Sequence, residues 1–524
     1  MNFPIKLSRY LSIPSTVTFI GMLVCVQSAI GTPISFNAGD LVISTVSSYN
    51  GGGLDSASPI VLQQFKLGAG GTVATQDGTL TLLQTGSGQN SAISGEYGSA
   101  SEGILQRSVN GQYLTIMGYG VNATTFNTAP LTTYGTAALG QTTSLTAANQ
   151  TTTNVTTVAR VVALIGADGS VDTSTALTGV FNQNNPRSVA TVDGSSFYVS
   201  GQASSKADPT QGVFYATRGA NTATAIDNST DTRVVSIFNN GSGNMLYVSR
   251  DQNPSSGGVQ NLTNISTLTN SSGDLPTTSS GLTTTHITPP GSPLSLGGNN
   301  GSINLTTGTA NGVNNSRIGS FVYLSPESYF FASPTVLYVA DSGQPKNGNV
   351  NKAALGEGGL QKWVLTNGAW TLDYDLVAGL NLVNNANANS ATPSAPGVTG
   401  LLGLTGLVVG DQVELFATSY DLNELSPSFL YEITDNLNDT SLAQASSENF
   451  TVLYSDPTGQ TSIRGVSFAP VPEPGSLALL AIALGAMGVS RSRGLKRFWP
   501  KCTVAMSTFR SWMHMPMYGV AHSA

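Results

Sequence analysis

The sequence has few charged residues, only two cysteines and only three histidines among its 524 residues. Lysine, arginine, aspartate and glutamate make up 9% of the chain, against about 25% in an ordinary soluble domain. Cys25 and Cys502 lie near the two ends, so the body between them has no disulfide framework and no thiolate zinc site. His286 is the only histidine of that body, which excludes a histidine-rich zinc site. We interpret His286 as a solvated loop residue.

The scarcity of charge also limits the fold class and the partners. Exposed helix faces are usually built from Ala, Leu, Glu and Lys, whereas this chain is rich in glycine (59 residues), serine, threonine and asparagine. The composition therefore argues against a helix-rich fold. Between Phe36 and Pro472 there are 13 basic and 27 acidic residues, a net charge of −14. Such a body repels phosphate backbones, so we expect no nucleic-acid binding.

No motif of a nucleophilic serine, a phosphate-binding loop or a zinc protease is present. Acid–base chemistry would have to use carboxylates or tyrosines, and the candidate pairs are Glu96 with Glu102 and Asp373 with Asp375. Two aspartate-containing segments, residues 168–172 and 227–231, carry oxygen ligands of the kind that Ca²⁺ prefers. Aspartate and asparagine are also ordinary turn residues, and we favour that role. We therefore assign no catalytic residue, no metal ligand and no cofactor. A bound Ca²⁺ ion at these segments is the alternative interpretation.

The first 31 residues have the pattern of a secretory signal peptide. Lys6 and Arg9 precede an apolar run over residues 17–26, and the small residues Ala29 and Gly31 suit a cleavage site after residue 31. The pattern predicts that the protein is exported. A lipid anchor on Cys25 is disfavoured, because Val24 stands where a small residue normally precedes a lipidated cysteine.

The other end carries an ordered pattern of three parts. Pro472, Glu473 and Pro474 are followed by an apolar run over residues 476–489 and then by Arg491 and Arg493. The run is shorter than the ~20 residues that span a bilayer. Residues 471–494 resemble the PEP-CTERM sorting signal of bacteria that contain exosortases. The resemblance implies transient insertion of a short helix in the inner membrane, cleavage near the Pro-Glu-Pro motif by an exosortase-type enzyme, and release to the cell surface or matrix.

The chain continues for 30 residues past that pattern, from residue 495 to residue 524. This tail is basic and aromatic. It is either a cytoplasmic segment at the membrane interface or the product of a misplaced stop codon, and we favour the second interpretation.

The body, residues 36–470, has a repeating pattern of short strands separated by turn residues. Asn-Gly and Asp-Gly pairs at residues 110–111, 193–194 and 367–368 stand between alternating strands, which is a strong hairpin signal. Arg187 and Arg233 begin similar strands 46 residues apart, and Arg317 begins another 84 residues later. Propeller blades repeat at roughly 40–50 residues. The pattern predicts an all-β β-propeller of six to eight blades.

Seven blades are favoured by the count of strand starts. These lie near Leu41, Ile104, Arg187, Arg233, Arg317, Thr399 and Arg464. The strand at Arg464 has no hairpin partner after it, so we expect it to pair with the strand at Leu41 and close the ring. Three polar segments, residues 124–157, 267–315 and 384–396, interrupt the repeat and are predicted to be long surface loops or disordered inserts.

Two stretches of the body resemble known propellers. Residues 336–343 with residues 360–363 are similar to the Leu-Tyr-Val-Ala-Asp pattern of NHL-type propellers, and residues 95–103 resemble a blade of secreted PEP-CTERM propeller-like proteins. The resemblance implies a propeller fold and leaves the function open, because propellers host many unrelated functions.

The arginines that recur at one repeat position are candidate binding residues. Two interpretations stay open for Arg187, Arg233, Arg317 and Arg464: they line the central channel and bind an anionic sugar or carboxylate, or they tie neighbouring blades through backbone carbonyls, which we favour. We expect an exported, non-enzymatic protein of the cell surface or extracellular matrix that binds or organises material such as exopolysaccharide. The alternatives are a secreted polysaccharide-active hydrolase or lyase that uses carboxylates or tyrosine, and a passive matrix component.

Overall fold

The computed structural model describes residues 34–472 with internal gaps. The gaps are residues 50–52, 69, 72–73, 100, 152–153, 206, 252–262, 287–301, 305–320, 324–325, 343–357, 381, 383–397, 422–426 and 457. The expected signal peptide, the sorting signal from Glu473 onward with its apolar helix, and the tail all lie outside the described residues. Within the described ranges, no helix is long and apolar enough to cross a membrane.

The described strands form six blades of a β-propeller. Blade 1 contains β1 (Leu41–Ser47), β3 (Val61–Leu67), β4 (Ala74–Thr81) and β28 (Thr461–Phe468). Blade 2 contains β2 (Ser56–Pro59), β5 (Ser94–Tyr97), β6 (Gln106–Arg107), β7 (Tyr113–Tyr119), β8 (Arg160–Gly166) and β9 (Val171–Leu177). Blade 3 contains β10 (Pro186–Ala190), β11 (Ser196–Gly201), β12 (Gly212–Thr217) and β13 (Thr224–Asp227).

The other three blades follow the same antiparallel order. Blade 4 contains β14 (Val235–Asn239), β15 (Asn244–Asp251), β16 (Thr263–Thr269) and β17 (Thr283–His286). Blade 5 contains β20 (Pro326–Ser333), β21 (Val336–Asp341), β22 (Gly359–Thr366) and β23 (Ala369–Leu376). Blade 6 contains β24 (Val398–Val409), β25 (Gln412–Asp421), β26 (Ser428–Asn436) and β27 (Thr451–Asp456). A separate two-stranded sheet pairs β18 (Ser302–Asn304) with β19 (Phe321–Tyr323).

The hairpins form where the turn residues predict them. Asn367 and Gly368 both have positive φ, 52° and 79°, and they join β22 to β23. A two-residue turn with both residues in the left-handed region matches the twist of the flanking strands. The Asp-Gly turn between β10 and β11 has φ of 83° at Gly194. These hairpin predictions are confirmed.

The last strand closes the ring on the first, as the sequence predicts. β28 pairs antiparallel with β1, with Leu41 opposite Phe468, and forms the innermost strand of blade 1. The favoured count of seven blades is wrong because of this pairing. The strand starts at Leu41 and Arg464 belong to one blade, so seven starts make six blades. Apolar side chains then pack between neighbouring blades, as where Tyr198 and Val213 of blade 3 meet Leu246 and Val248 of blade 4.

The first strand of blade 5 is not the one that the sequence predicts. Residues Tyr329–Phe331 lie in β20, which is the first strand of the blade and pairs with β21, where Phe330 stands opposite Tyr338. The turn between them is Pro334-Thr335, which contains no glycine and therefore gave no hairpin signal. Arg317, the expected start of this blade, lies outside the described residues.

Residues 124–157 are more ordered than an exposed loop. They contain most of α1 (Ala123–Thr128) and all of α2 (Leu131–Tyr134), and Asn122 caps α1 by accepting a 2.8 Å hydrogen bond from the backbone N–H of Thr125. Phe126, Tyr134 and Leu139 are buried in one cluster with Tyr119 of blade 2. A few clustered apolar residues are thus enough to fold this polar segment against the propeller.

The other two predicted loops have different outcomes. The range 267–315 includes the end of β16 and the whole of β17, both of which are strands of blade 4. Residues 384–396 lie outside the described part of the chain. A further short element, the 3₁₀ helix Gln444–Ser447, lies between β26 and β27.

A buried hydroxyl joins the blades at each of the six junctions. In every case a serine or threonine side chain donates to a backbone carbonyl of the adjoining blade over 2.5–2.9 Å. The pairs are Ser44 to Gly103, Thr115 to Val189, Ser200 to Arg233, Ser249 to Glu327, Thr399 to Ser342 and Thr418 to Arg464. All six hydroxyl-bearing residues are 0–3% exposed. Together these bonds form a closed ring of contacts between blades.

The closing junction gives a direct test of this ring. Thr418 Oγ1 donates to the Arg464 carbonyl at 2.5 Å and accepts from the Gly403 N–H at 2.8 Å. Thr418→Val keeps the shape of the side chain but leaves both buried groups without this partner, so we expect the free energy of unfolding to fall by about 1–3 kcal/mol. Urea unfolding measures the change. Thr79→Val, at an exposed position of β4, is the matched control, and equal midpoints for the two variants would contradict the role of the hydroxyl.

Candidate functional site

Blade 2 brings one of the predicted carboxylate pairs together. Glu96 lies on β5 and Glu102 lies in the turn that leads into β6. The backbone N–H of Glu96 donates to Glu102 Oε1 at 2.5 Å. The two side chains are buried, with Glu96 6% and Glu102 4% exposed.

Glu102 is held by a tyrosine and lies at a small cavity. The Tyr119 hydroxyl, at the end of β7, donates to Glu102 Oε2 at 2.8 Å and lies 3.2 Å from Asn185 Oδ1. A cavity of about 10 Å³ is lined by residues that include Ser44, Glu102 and Arg464. That volume is about what one water molecule needs. A sugar ring does not fit beside Glu102 in this arrangement.

Glu96 connects Glu102 to the surface. Its carboxyl group accepts a hydrogen bond from the backbone N–H of Gly140 and shares one with the carboxyl group of Asp55, which is an exposed residue. A Cβ at position 140 would lie only 2.3 Å from Glu96 Oε2, so the close approach requires glycine there. Glu96 therefore lies between the exposed Asp55, which contacts its carboxyl group, and the buried Glu102, which accepts from its backbone N–H.

Burial controls the charge of this pair. It raises the pKa of Glu96 to about 9, and the negative charges of Glu102 and Asp55 act in the same direction. Burial also raises the pKa of Glu102, to about 7, against the opposing effects of the Glu96 N–H and the positive charge of Arg464. Since a hydrogen bond between two carboxyl groups needs a proton, Glu96 is protonated at neutral pH.

Arg160 fixes the segment that covers the pair. This residue begins β8 and is fully buried, and its guanidinium donates to the carbonyls of Val158, Thr142 and Phe181 at 2.8–3.0 Å. It lies 4.8 Å from the centre of the Tyr119 ring, and burial lowers its pKa to about 10. Arg160 thus holds Gly140 and Thr142, part of the segment of residues 124–157, and Gly140 lies against the Glu96 carboxyl group.

Sequence reasoning missed Tyr119, Asn185 and Arg160. No motif marks them, and their partners lie up to 66 residues away in the chain, as for Tyr119 and Asn185. The one available signal was that Arg160 begins a strand in the same way as Arg187. That pattern placed arginines at blade junctions but did not connect them with the carboxylates.

The recurring arginines that the structure describes are all buried. Arg187 pairs with Asp231 and donates to the Thr232 carbonyl at 2.9 Å, which connects blade 3 to the segment before β14. Arg233 Nε lies 3.9 Å from Glu327 Oε1 of blade 5. Arg464 lies within the electrostatic influence of Glu102 and Asp421. Arg317, the fourth, lies outside the described residues.

The second carboxylate pair does not form one site. Asp375 is buried beside Asp341, and burial followed by that neighbouring charge raises its pKa well above the usual range. Asp373 instead has Lys362 and Asp435 as its charged neighbours. The two side chains lie in different surroundings, both on β23, the outermost strand of blade 5.

The aspartates proposed as calcium ligands bind groups of the protein itself. Asp168 accepts the Ser170 N–H at 3.0 Å in a tight turn, and Asp227 pairs with Arg250 at 2.6 Å. In the part of the chain that the structure describes, no three histidine, cysteine, aspartate or glutamate side chains are grouped to hold a metal ion. The interpretation of His286 as a loop residue is wrong, because it ends strand β17 and its backbone pairs with that of Ser266.

Comparison with known proteins gives distant structural similarity only. No protein-family description matches the sequence, and no curated protein is similar to it. A periplasmic gluconolactonase of Pseudomonas aeruginosa is 12% identical over 82% of this chain and 100% of its own, with a TM-score of 0.37. A putative 6-phosphogluconolactonase of Bacteroides fragilis is 11% identical over 82% and 83% of the two chains, with a TM-score of 0.34. An ancestral GH74 enzyme is 14% identical over 82% and 48%, with a TM-score of 0.31.

The raised pKa values predict how stability depends on pH. Neutral carboxyls at Glu96 and Glu102 favour the folded state, and this contribution is complete below the ordinary pKa of 4.5 and is lost as pH rises through about 7 and about 9. We therefore expect the urea midpoint to fall between about pH 5 and about pH 9, and Glu96→Gln, which stays neutral, to flatten that fall. Asp274→Asn, at an exposed position, should retain the wild-type pH dependence. A fall that is equally steep in Glu96→Gln would contradict this assignment.

Proposed function

We propose that this protein is an exported, non-enzymatic component of the cell surface or extracellular matrix, in which the propeller serves as a binding and structural scaffold. The observation that carries the proposal is that the carboxyl groups of Glu96 and Glu102 are buried and hydrogen-bonded within the protein. The pair is 4–6% exposed, and the adjacent cavity has room for about one water. The Glu102 carboxyl group accepts from the Tyr119 hydroxyl and the Glu96 N–H, and the Glu96 carboxyl group accepts from the Gly140 N–H. Carboxyl groups that are buried in this way stabilise blade 2 and are not accessible to a polysaccharide chain.

Export and sorting are supported by the sequence at the two ends. Residues 1–31 have the pattern of a signal peptide, and residues 471–494 resemble the PEP-CTERM signal. The processing partner is then an exosortase-type enzyme that acts at Pro472, Glu473 and Pro474 while residues 476–489 are transiently inserted in the inner membrane. Arg491 and Arg493 remain on the cytoplasmic side of that intermediate.

The proposed ligand class is exopolysaccharide. The body carries a net charge of −14, which favours an uncharged polysaccharide over an acidic one. Its many serine, threonine and asparagine side chains supply hydrogen-bond donors and acceptors for hydroxyl groups. In this proposal the buried arginines Arg187, Arg233 and Arg464 join the blades, because their described contacts are to carboxylates and carbonyls within the propeller.

The second candidate is a polysaccharide-active hydrolase or lyase. The observation that favours it is the coupled set of Glu96, Glu102 and Tyr119, since strongly shifted pKa values often accompany active sites. A reaction at these groups would require the segment of residues 124–157 to move and open a path to Glu102. The hydrogen bonds from Arg160 to Thr142 in that segment oppose such movement.

The test uses protein recovered from the surface of the exporting bacterium. Intact mass should correspond to a chain that begins near Thr32 and ends near Pro472–Pro474, without Trp499 and Trp512. This protein should sediment with uncharged exopolysaccharide and leave the length of the polymer unchanged. Unfolded protein, prepared by heating the same sample, is the binding control.

Three results would contradict different parts of the proposal. A released species that still contains Trp499 or Trp512 would show that C-terminal processing does not occur. Shortening of the polymer that disappears in Glu96→Gln or Glu102→Gln would establish the hydrolase or lyase instead. Failure to sediment with any polysaccharide would leave only the passive structural role.

A further inference from the structure

A buried lysine and aspartate face each other at the junction of blades 5 and 6. Lys362 lies on β22 and Asp435 on β26, and both are 0% exposed. Lys362 Nζ is 2.9 Å from Asp435 Oδ2. An ion pair at this depth loses the hydration of two charges, and the attraction between them offsets that cost only where the geometry is very good.

The lysine amine is held in one position by three further contacts. Nζ donates to the carbonyls of Asn436 and Asp439 at 2.7 and 2.9 Å and to the hydroxyl of Tyr374 at 2.8 Å. Two groups fixed at contact distance react as if at very high concentration, because the entropy of bringing them together has already been lost in folding. The amine of Lys362 is therefore fixed against the carboxyl group of Asp435.

The aspartate is surrounded by hydrogen-bond donors that polarise its carboxyl group. The Tyr374 hydroxyl donates to Oδ1 at 2.5 Å, and the Tyr338 hydroxyl donates to Oδ2. Such donors stabilise the negative charge that develops on a carboxyl oxygen when a nucleophile adds to the carbon. Both tyrosines come from blade 5, so the folded junction itself assembles this arrangement.

Glu448 supplies a proton at the same place. Its carboxyl group hydrogen-bonds to that of Asp435, and burial together with that contact raises the pKa of Glu448 to about 9. Glu448 follows directly on the 3₁₀ helix Gln444–Ser447 and is protonated at neutral pH. A neutral carboxylic acid in contact with the reacting carboxyl group is suited to act as a general acid.

From this arrangement we infer that Lys362 and Asp435 join in an amide bond that links blades 5 and 6 covalently. Proton transfer within the pair gives an amine and a carboxylic acid, and the Nζ lone pair then attacks Cγ. A C–N bond forms, a C–O bond breaks, and the departing oxygen takes its proton from Glu448 and leaves as water. Glu448 regains a proton from the nitrogen. The ammonium and carboxylate become one neutral amide and one water, with no oxidant or co-reactant.

The consequence is a permanent covalent link between blades 5 and 6. The bond replaces two buried charges by a neutral group whose oxygen still accepts from the tyrosine hydroxyls. It also closes a covalent loop between residues 362 and 435, which restricts the unfolded chain as a disulfide would. The chain's body has no cysteine for a disulfide, so an amide is the cross-link that its side chains allow at this place.

The experiment is peptide mapping of the purified, folded full chain. Cleavage after glutamate releases residues 358–414, which contain Lys362, and residues 433–448, which contain Asp435, as separate peptides. We expect instead one linked species that is lighter than the sum of the two by one water, with fragment ions that place the bond at Lys362 and Asp435. Lys362→Arg should abolish the linked species, and Glu448→Gln should slow its formation by about 100-fold or more.

The control is Asp373→Asn, which removes another acid whose charge acts on Lys362 and should leave the link in place. Full recovery of the two separate peptides from the unmodified chain would overturn the proposal and leave a buried ion pair. Peptide mapping of the unmodified chain needs no variant, so the test can be made even if a substitution prevents folding. A link that survives in Asp435→Ala would also overturn it, because the carboxyl partner would then be a different residue.

Discussion

A serine or threonine hydroxyl that donates to a carbonyl of the adjoining blade is the contact on which this propeller depends. The strands nearest the centre have one edge without a neighbouring strand, and buried backbone carbonyls there need donors. Six buried hydroxyls, among them Ser44, Ser249 and Thr418, meet that need at the six junctions. The contact uses short neutral side chains, which explains how a chain with 9% charged residues builds a closed ring.

The few charges that the chain buries reinforce the same junctions. Arg187 pairs with Asp231 at the junction of blades 3 and 4, and Arg250 of blade 4 pairs with Asp227 of blade 3. Breaking such a pair on one side leaves a buried charge without its partner, which costs several kcal/mol, about 3–5. The blades are therefore held by local neutral contacts and by a small number of specific ionic ones. Glu96 and Glu102 belong to this internal network, which is why a scaffold is the function that we propose.

The parts of the fold that could be predicted are those that local sequence patterns mark. Asn367-Gly368 and Asp193-Gly194 defined hairpins because the turn conformation requires those residues, and the unpaired strand at Arg464 indicated ring closure. The blade count failed because one blade is shared by the two ends of the chain. The Glu96–Glu102 pair could be found because six residues separate its members. Tyr119, Asn185 and Arg160 could not, because their contacts join residues that are distant in the sequence, as do Tyr119 and Asn185 across 66 residues.

The closed six-blade ring is the central claim, and native-state hydrogen exchange of β1 and β28 tests it most directly. Amides in Leu41–Val46 and Ile463–Phe468 pair across the two ends of the chain. In a closed ring their exchange should require global unfolding, so their protection should equal that of β11 in the middle of blade 3 and fall with urea at the same slope. Rapid exchange at both segments, with β11 still protected, would show that the first and last strands do not pair and that the ring is open.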